Sequence, residues 1–239
     1  MVLINDSCIG CQQCIPYCPV DAIRLVDGKA EADSGRCVEC GTCVRADHCP
    51  VDALSMPENL DEFREISHYL SDPTTTKKAT GVPGRGTEEV KTNDVTGRIK
   101  RGEVGICIEM GRPGISTSFE DVEKVSEALA KLNLEFEEKN PVTALIDVNT
   151  GKLVNDELRE TRALSCIVEA KTKMENIPGV LKVLRQVETQ IDTVFSLGMI
   201  CRFDDDGNIP VIEILESQGI NVRPNSKVNV GIGKPLSEA

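Results

Sequence analysis

The chain has 239 residues, a formal net charge of −12, 28% charged residues and 3% aromatics with no Trp. This acidic balance and scarcity of rings argue against a nucleic-acid partner, which asks for basic patches and stacking platforms. No run of eighteen apolar residues occurs, so no membrane span is expected, and MVLINDSC shows no charged leader or cleavage site, which points to the cytoplasm.

Residues 1–56 come first and carry the strongest signal. Eight of the eleven cysteines lie between Cys8 and Cys49, in the runs CIGCQQCIPYCP and CVECGTCVRADHCP. The first run reads C-x2-C-x2-C-x3-C-P, and the second is the same with five residues in its last gap. Both continue as Val-Asp-Ala followed by Ile23 or Leu54, so the segment is an internal repeat. Disulfides would need an oxidising compartment; the CxxC clustering favours metal ligation in a reducing one. Two zinc sites of four cysteines each are the competing assignment. Structural zinc sites usually join two separated CxxC pairs, which fits this spacing less well. The C-x3-C-x2-C run of radical chemistry is absent.

The first run resembles the ligand run of bacterial two-cluster ferredoxins. The resemblance implies two [4Fe–4S] clusters, with the fourth cysteine of each run crossing to the other cluster. Carried onto this chain, cluster I is held by Cys8, Cys11, Cys14 and Cys49, and cluster II by Cys37, Cys40, Cys43 and Cys18. In such a module the backbone N–H groups point at the sulfurs and offset the cluster charge. Gly10 and Gly41 suit that close approach. Ile4, Ile9, Ile15, Ile23, Val38 and Leu54 are expected as the apolar shell, and Val-Asp-Ala-Ile/Leu as a short helix or turn. The longer loop Val44-Arg45-Ala46-Asp47-His48 sits beside cluster I. His48 is read as a surface residue there, because each cluster already has four cysteines.

Beyond Pro57 the stripe Leu60, Phe63, Ile66, Tyr69 and Leu70 predicts a helix over 57–70, lying on the ferredoxin module as a satellite. Residues 71–102 then turn locally basic and rich in Gly and Thr, the composition of an interdomain linker. The alternative is a loop that holds a phosphate-bearing ligand or acidic surface through Lys77, Lys78, Arg85, Lys91, Arg98, Lys100 and Arg101, with backbone N–H groups at Gly84-Arg85-Gly86-Thr87.

Residues 103–239 show alternating periods. Strands are predicted around Val104–Met110, at Val142–Val148, over 162–170, over 195–203 and at 227–232. Helices are predicted after the Ser118 cap, from Ile177 to Ile191 and near 209–218. The order β-α-β-β-α-β is that of a ferredoxin-like plait. Pro-Gly turns recur at Met110-Gly111-Arg112-Pro113-Gly114 and Asn176-Ile177-Pro178-Gly179-Val180-Leu181; the second resembles the turn of ACT-type regulatory domains, while the first has Ser116 in place of the Leu. Cys107, Cys166 and Cys201 fall in strands and are read as core packing. Asp204-Asp205-Asp206-Gly207 reads as a turn, and no catalytic constellation can be assembled.

The expectation is therefore an α+β chain, a bacterial ferredoxin module followed by an α/β plait with ACT-like topology. Its predicted role is low-potential transfer of single electrons to or from a partner oxidoreductase in anaerobic metabolism. The chain is read as a non-catalytic component, with its C-terminal part for docking or homo-oligomeric assembly. The alternative is a redox- or metabolite-sensing regulator with an ACT-like effector domain.

Overall fold

The computed structural model describes residues 1–76, 97–112 and 115–222. In the N-terminal part, β1 (Leu3–Ile4) pairs antiparallel with β4 (Leu54–Ser55), which brings the two ends of the cysteine-rich segment together. Between them β2 (Ile23–Val26) and β3 (Lys29–Ala32) form a hairpin. Asp27 and Gly28 make its two-residue turn, both in the left-handed region that such a tight turn requires. A single helical turn, Ile15–Tyr17, follows Cys14, and α1 (Thr42–Arg45) carries Cys43.

The repeat in sequence is a repeat in backbone. Gly10 and Glu39 are equivalent in the two runs, and both have positive φ, 67° and 55°. So do their later equivalents, Gln12 at 63° and Gly41 at 66°. Each loop thus needs two left-handed residues, and glycine supplies one in each, at different places. Asp21 and Asp52 repeat the pattern at 51° and 48°. They make turns after the prolines, and Ile23 and Leu54 then begin strands and not helices.

The helix expected over 57–70 is α2, Glu62–Ser71; it starts at Asp61, whose carboxylate accepts the Arg64 N–H at 2.9 Å. It does not lie only on the ferredoxin module. Ile66 and Leu70 belong to the large apolar core of the C-terminal part. Ser67 Oγ donates to the Arg162 carbonyl at 2.5 Å, and Ser71 Oγ accepts the Leu164 N–H at 2.8 Å. The opposite side of α2 reaches the cysteine loops, so the helix is a wedge between the two halves.

The C-terminal part is built on one antiparallel sheet. β5 (Glu103–Met110) pairs along its whole length with β9 (Cys166–Lys173) and from Gly105 to Met110 with β10 (Phe195–Ile200), while β7 (Glu135–Phe136) pairs with β9. The strand order is β10-β5-β9-β7. β6 (Thr117–Ser118) pairs with β8 (Arg162–Ala163) beside it. α3 (Phe119–Ala130) starts at Ser118, whose hydroxyl accepts the Asp121 N–H, and joins β5 to β7. α4 (Ile177–Val187) joins β9 to β10, and α5 (Val211–Ser217) follows. Val104, Ile106, Ile108 and Met110 of β5 pack in one core with Val122, Val125 and Leu129 of α3 and Val180, Leu184 and Val187 of α4.

The strand expected at Val142–Val148 does not form. The Asn140 side chain accepts the Val142 N–H at 2.7 Å and turns the chain, and Thr143–Leu145 is a 3-10 turn. Val142 and Leu145 face inward while Val148 is 47% exposed, so the apparent alternation was accidental. The edge strand is instead the short Glu135–Phe136. The second Pro-Gly turn opens α4 with Pro178 in its first turn, which the missing N–H permits. Pro113-Gly114 of the first turn, the predicted strand at 227–232, the Gly84–Thr87 turn and Lys77, Lys78, Arg85 and Lys91 lie outside the described residues. Arg98 pairs with the nearly buried Glu137 and Arg101 with Asp205, so this described end of the basic segment rests on the C-terminal part.

Candidate metal centres

The eight cysteines between Cys8 and Cys49 surround two hollows. One is lined by Cys8, Cys11, Cys14 and Cys49, the other by Cys18, Cys37, Cys40 and Cys43. The hollows enclose near-equal empty volumes of about 330 and 340 Å3, open solvent included, so one kind of occupant suits both. Each draws three cysteines from one run and its fourth from the other. The β1–β4 pairing and the left-handed turns after Cys18 and Cys49 bring those fourth cysteines across. Among the described residues no group of three His, Cys, Asp or Glu side chains is placed to hold a single metal ion. The sulfurs ring a hollow and do not converge on one point.

Backbone N–H groups point at these sulfurs. Ala22 N–H donates to Cys18 Sγ at 3.1 Å and Ala53 N–H to Cys49 Sγ at 3.2 Å, the same contact in each half of the repeat. Ala30 N–H donates to Cys8 Sγ at 3.3 Å, and Thr42 Oγ1 to Cys40 Sγ at 3.4 Å. The Ala30 and Gly10 N–H groups hold the Cys8 thiol below its ordinary range. Burial dominates elsewhere. It pushes Cys14 and Cys37 upward, and it pushes Cys43 up to about 12, with Cys40, Cys18 and Cys37 adding to the rise. Thiolates so crowded and desolvated need a cationic core among them, which is the fit expected of an iron–sulfur cluster.

The shell around the hollows is apolar. Val2, Ala22, Ile23, Val38 and Ala53 are buried, and Ile4, Ile15 and Leu54 are partly buried against them. Ile9 departs from the expectation: it is 63% exposed at the rim of the first hollow. His48 stacks on Tyr17 with ring centroids 4.5 Å apart, on the exposed outside of the inserted loop.

Residues 7–53 match the family described as "4Fe-4S dicluster domain". This segment is a ferredoxin module. It carries two [4Fe–4S] clusters, as that family does. The Rickettsia felis protein named ferredoxin is 27% identical over 88 residues, which cover 34% of this chain and 79% of that one. A component of the ion-translocating oxidoreductase complex of Methanosarcina acetivorans is 43% identical over 50 residues, 21% of this chain and 18% of its own length. Pyruvate synthase subunit PorD from Methanothermobacter marburgensis is 43% identical over 54 residues, 23% of this chain and 60% of its own. The ferredoxin module is thus that of iron–sulfur electron-transfer proteins. The matches span about a fifth to a third of the chain and, for the two complex components, less than two thirds of the relative.

Sequence reasoning missed two residues of this site. Glu39 is fully buried between Cys37 and Cys40, with Arg64 Nη1 at 2.5 Å and the His68 Nδ1 2.8 Å from its carbonyl. Leu164, from the connection of β8 to β9, packs against the Val20, Ala22, Val38 and Cys40 shell of the second hollow. Neither could be found by local pattern, since each depends on contacts across the fold. Cys107, Cys166 and Cys201 do not gather into a third centre. Cys107 stands opposite Glu169 and Gly198, Cys166 opposite Met110, and an odd separation along β5 puts those two on opposite faces of the sheet. Asp204 makes the expected turn, its carboxylate accepting the Asn208 and Asp206 N–H groups at 2.7 and 3.0 Å. Those N–H bonds hold its carboxyl below the usual range.

Proposed function

We propose that this chain is a low-potential electron-transfer protein or subunit that passes single electrons to or from a partner oxidoreductase. The observation that carries the reading is the pair of hollows, each ringed by four cysteines drawn 3 + 1 from the two runs. It supports assigning Cys8, Cys11, Cys14 and Cys49 to cluster I and Cys37, Cys40, Cys43 and Cys18 to cluster II. Bound there, each [4Fe–4S] cluster supplies a one-electron couple. The chain's own part is to anchor the cluster by thiolate, offset its charge through the N–H groups of Ala22, Ala30 and Ala53, and exclude water with the apolar shell.

The residues after the ferredoxin module would then serve docking or assembly. Their strand order β10-β5-β9-β7, with α3 and α4 as the crossovers, supports a ferredoxin-like plait of ACT-like topology, a surface on which copies of the chain could pair. Domain limits of 1–56, 57–70, 71–102 and 103–239 remain our division, with α2 reassigned as the joint. Among the described residues no helix is long and apolar enough to cross a membrane; the location we propose is cytoplasmic. The test is anaerobic co-purification of the protein with its partner, followed by electron transfer between the two. The reading expects the reduced protein to reduce that oxidoreductase, or the oxidised protein to be reduced by it. A protein that holds its clusters yet exchanges electrons with no oxidoreductase would contradict it.

A further inference from the structure

The two hollows are placed differently with respect to the rest of the chain. Around the first, Cys11 is exposed and Cys8, Cys14 and Cys49 are half-buried; around the second, Cys40 and Cys43 are buried. Leu164, from the C-terminal part, packs against the shell of the second hollow, and Arg64 and His68 of α2 hold the loop between Cys37 and Cys40. The chain's own C-terminal half occupies that side. Nothing comparable, among the described residues, packs on the Cys11 side.

The rim of the first hollow has a definite composition. The Cys8–Cys11 loop lies flat on the β2–β3 turn: a Cβ on Gly10 would stand 2.0 Å from the Gly28 carbonyl oxygen and 3.4 Å from Leu25 Cδ1. Ala30 N–H reaches Cys8 Sγ, and Lys29 Nζ donates to the Asp6 carbonyl at 3.1 Å. These contacts bring Ile9 and Leu25, 63% and 41% exposed, to one surface beside Cys11, with exposed Asp6 and Asp27 around it, Asp6 partly offset by Lys29 Nζ at 3.7 Å. Exposed apolar side chains flanked by carboxylates mark an interaction site more than a solvated face.

We propose that this face, Ile9, Cys11 and Leu25 rimmed by Asp6 and Asp27, is the docking surface through which the module exchanges electrons with its partner. The occupant is a protein whose redox cofactor edge is ringed by Lys and Arg. The carboxylates, added to the negative thiolate-bound cluster behind them, select a basic surface and steer its approach, while Ile9 and Leu25 exclude water from the contact. The second hollow, whose Val20, Ala22, Val38 and Cys40 shell packs against Leu164, is the interior one. This inference rests on the electron-transfer reading above and adds which cluster faces the partner.

The experiment uses the full-length holoprotein, reduced anaerobically and mixed by stopped flow with oxidised cytochrome c, a basic haem protein with an exposed haem edge. The variants are Ile9→Lys, which places a cation over the port, and Asp27→Asn, which keeps the left-handed turn. Glu213→Lys on the exposed side of α5 is the control, and iron content is verified for all. Ile9→Lys is expected to slow transfer about 10-fold at low ionic strength, Asp27→Asn by a smaller factor, and the differences to shrink at high salt. Glu213→Lys should match the wild type. Rates for Ile9→Lys and Asp27→Asn equal to wild type, or an equal loss in Glu213→Lys, would overturn the port while leaving the electron-transfer reading intact. A wild-type protein that delivers no electron to this or any other acceptor would instead overturn that reading.

Discussion

Arg64 Nη1 stands 2.5 Å from Glu39 Oε1 and so joins α2 to the loop between Cys37 and Cys40. Glu39 is fully buried at φ +55°, its other oxygen has no hydrogen-bond partner, and the Met1 nitrogen lies 2.7 Å from Oε1. A buried carboxylate in a left-handed conformation is costly, and the guanidinium and the Met1 nitrogen together compensate its charge.

Removing that guanidinium therefore leaves a buried charge poorly compensated. Breaking such a pair typically costs about 3–5 kcal/mol, and the Met1 nitrogen places this one at the lower end. Arg64→Met should lower the midpoint of thermal cluster bleaching, followed by visible absorbance at fixed scan rate, by about 5–10 °C. Arg64→Met with Glu39→Gly, which removes both the orphaned charge and the left-handed strain, should recover most of the loss. An unchanged midpoint in Arg64→Met would show that the pair holds nothing.

Leu164, from the C-terminal half, packs against the Val20, Ala22, Val38 and Cys40 shell of the second hollow, and trimming it should loosen that shell and admit water. Leu164→Ala is expected to quicken the loss of about half the iron to a chelator such as EDTA in air, with the other half lost at the wild-type rate. Biphasic kinetics measured at the visible absorbance band check this. Uniform acceleration of all the iron would mean that Leu164 supports the whole fold and not one shell.

The crossing of ligands can be read from pairs of substitutions. Cys18→Ala alone should leave about four iron and four sulfide per chain, as should Cys37→Ala. Combined, Cys18→Ala and Cys37→Ala should cost no further iron, because both strike the hollow lined by Cys18, Cys37, Cys40 and Cys43. Cys14→Ala with Cys18→Ala, although neighbours in sequence, should remove both clusters. Retention of four iron in that last pair would contradict the crossing.

The cysteine runs made the ferredoxin module legible because ligand spacing is a local property, fixed by how a loop wraps a cluster. Helix starts at Ser118 and Ile177 were equally local, one a side-chain cap and the other a proline in the first turn. The Val142–Val148 strand failed because a turn closed by the Asn140 side chain overrode an alternating pattern that could not reveal it. Glu39, Arg64 and Leu164 stayed hidden for a different reason. Their meaning lies in contacts between residues 25 or more than 100 positions apart, and a single sequence holds no record of those.

Cys201 gives a pH test outside the ferredoxin module. Burial raises its thiol above the ordinary value, with the Val211 N–H working against the rise. A raised folded value means the neutral thiol is favoured, so its contribution to stability is present below the unfolded thiol's titration and is lost as pH rises through the folded one. At pH 8, alkylation of Cys201 by iodoacetamide in the native protein should lag that of the denatured chain, and the lag should narrow as pH climbs. Mass spectrometry of the Cys201 peptide reports it; equal rates at pH 8 would contradict the burial argument.

The most direct test is an anaerobic redox titration of the purified protein followed by EPR, with iron and sulfide counted on the same sample. About eight iron and eight sulfide, with two one-electron reductions that reverse on reoxidation, is the result expected of two clusters that carry electrons. Half that iron, or clusters that accept electrons and cannot return them, would contradict the account.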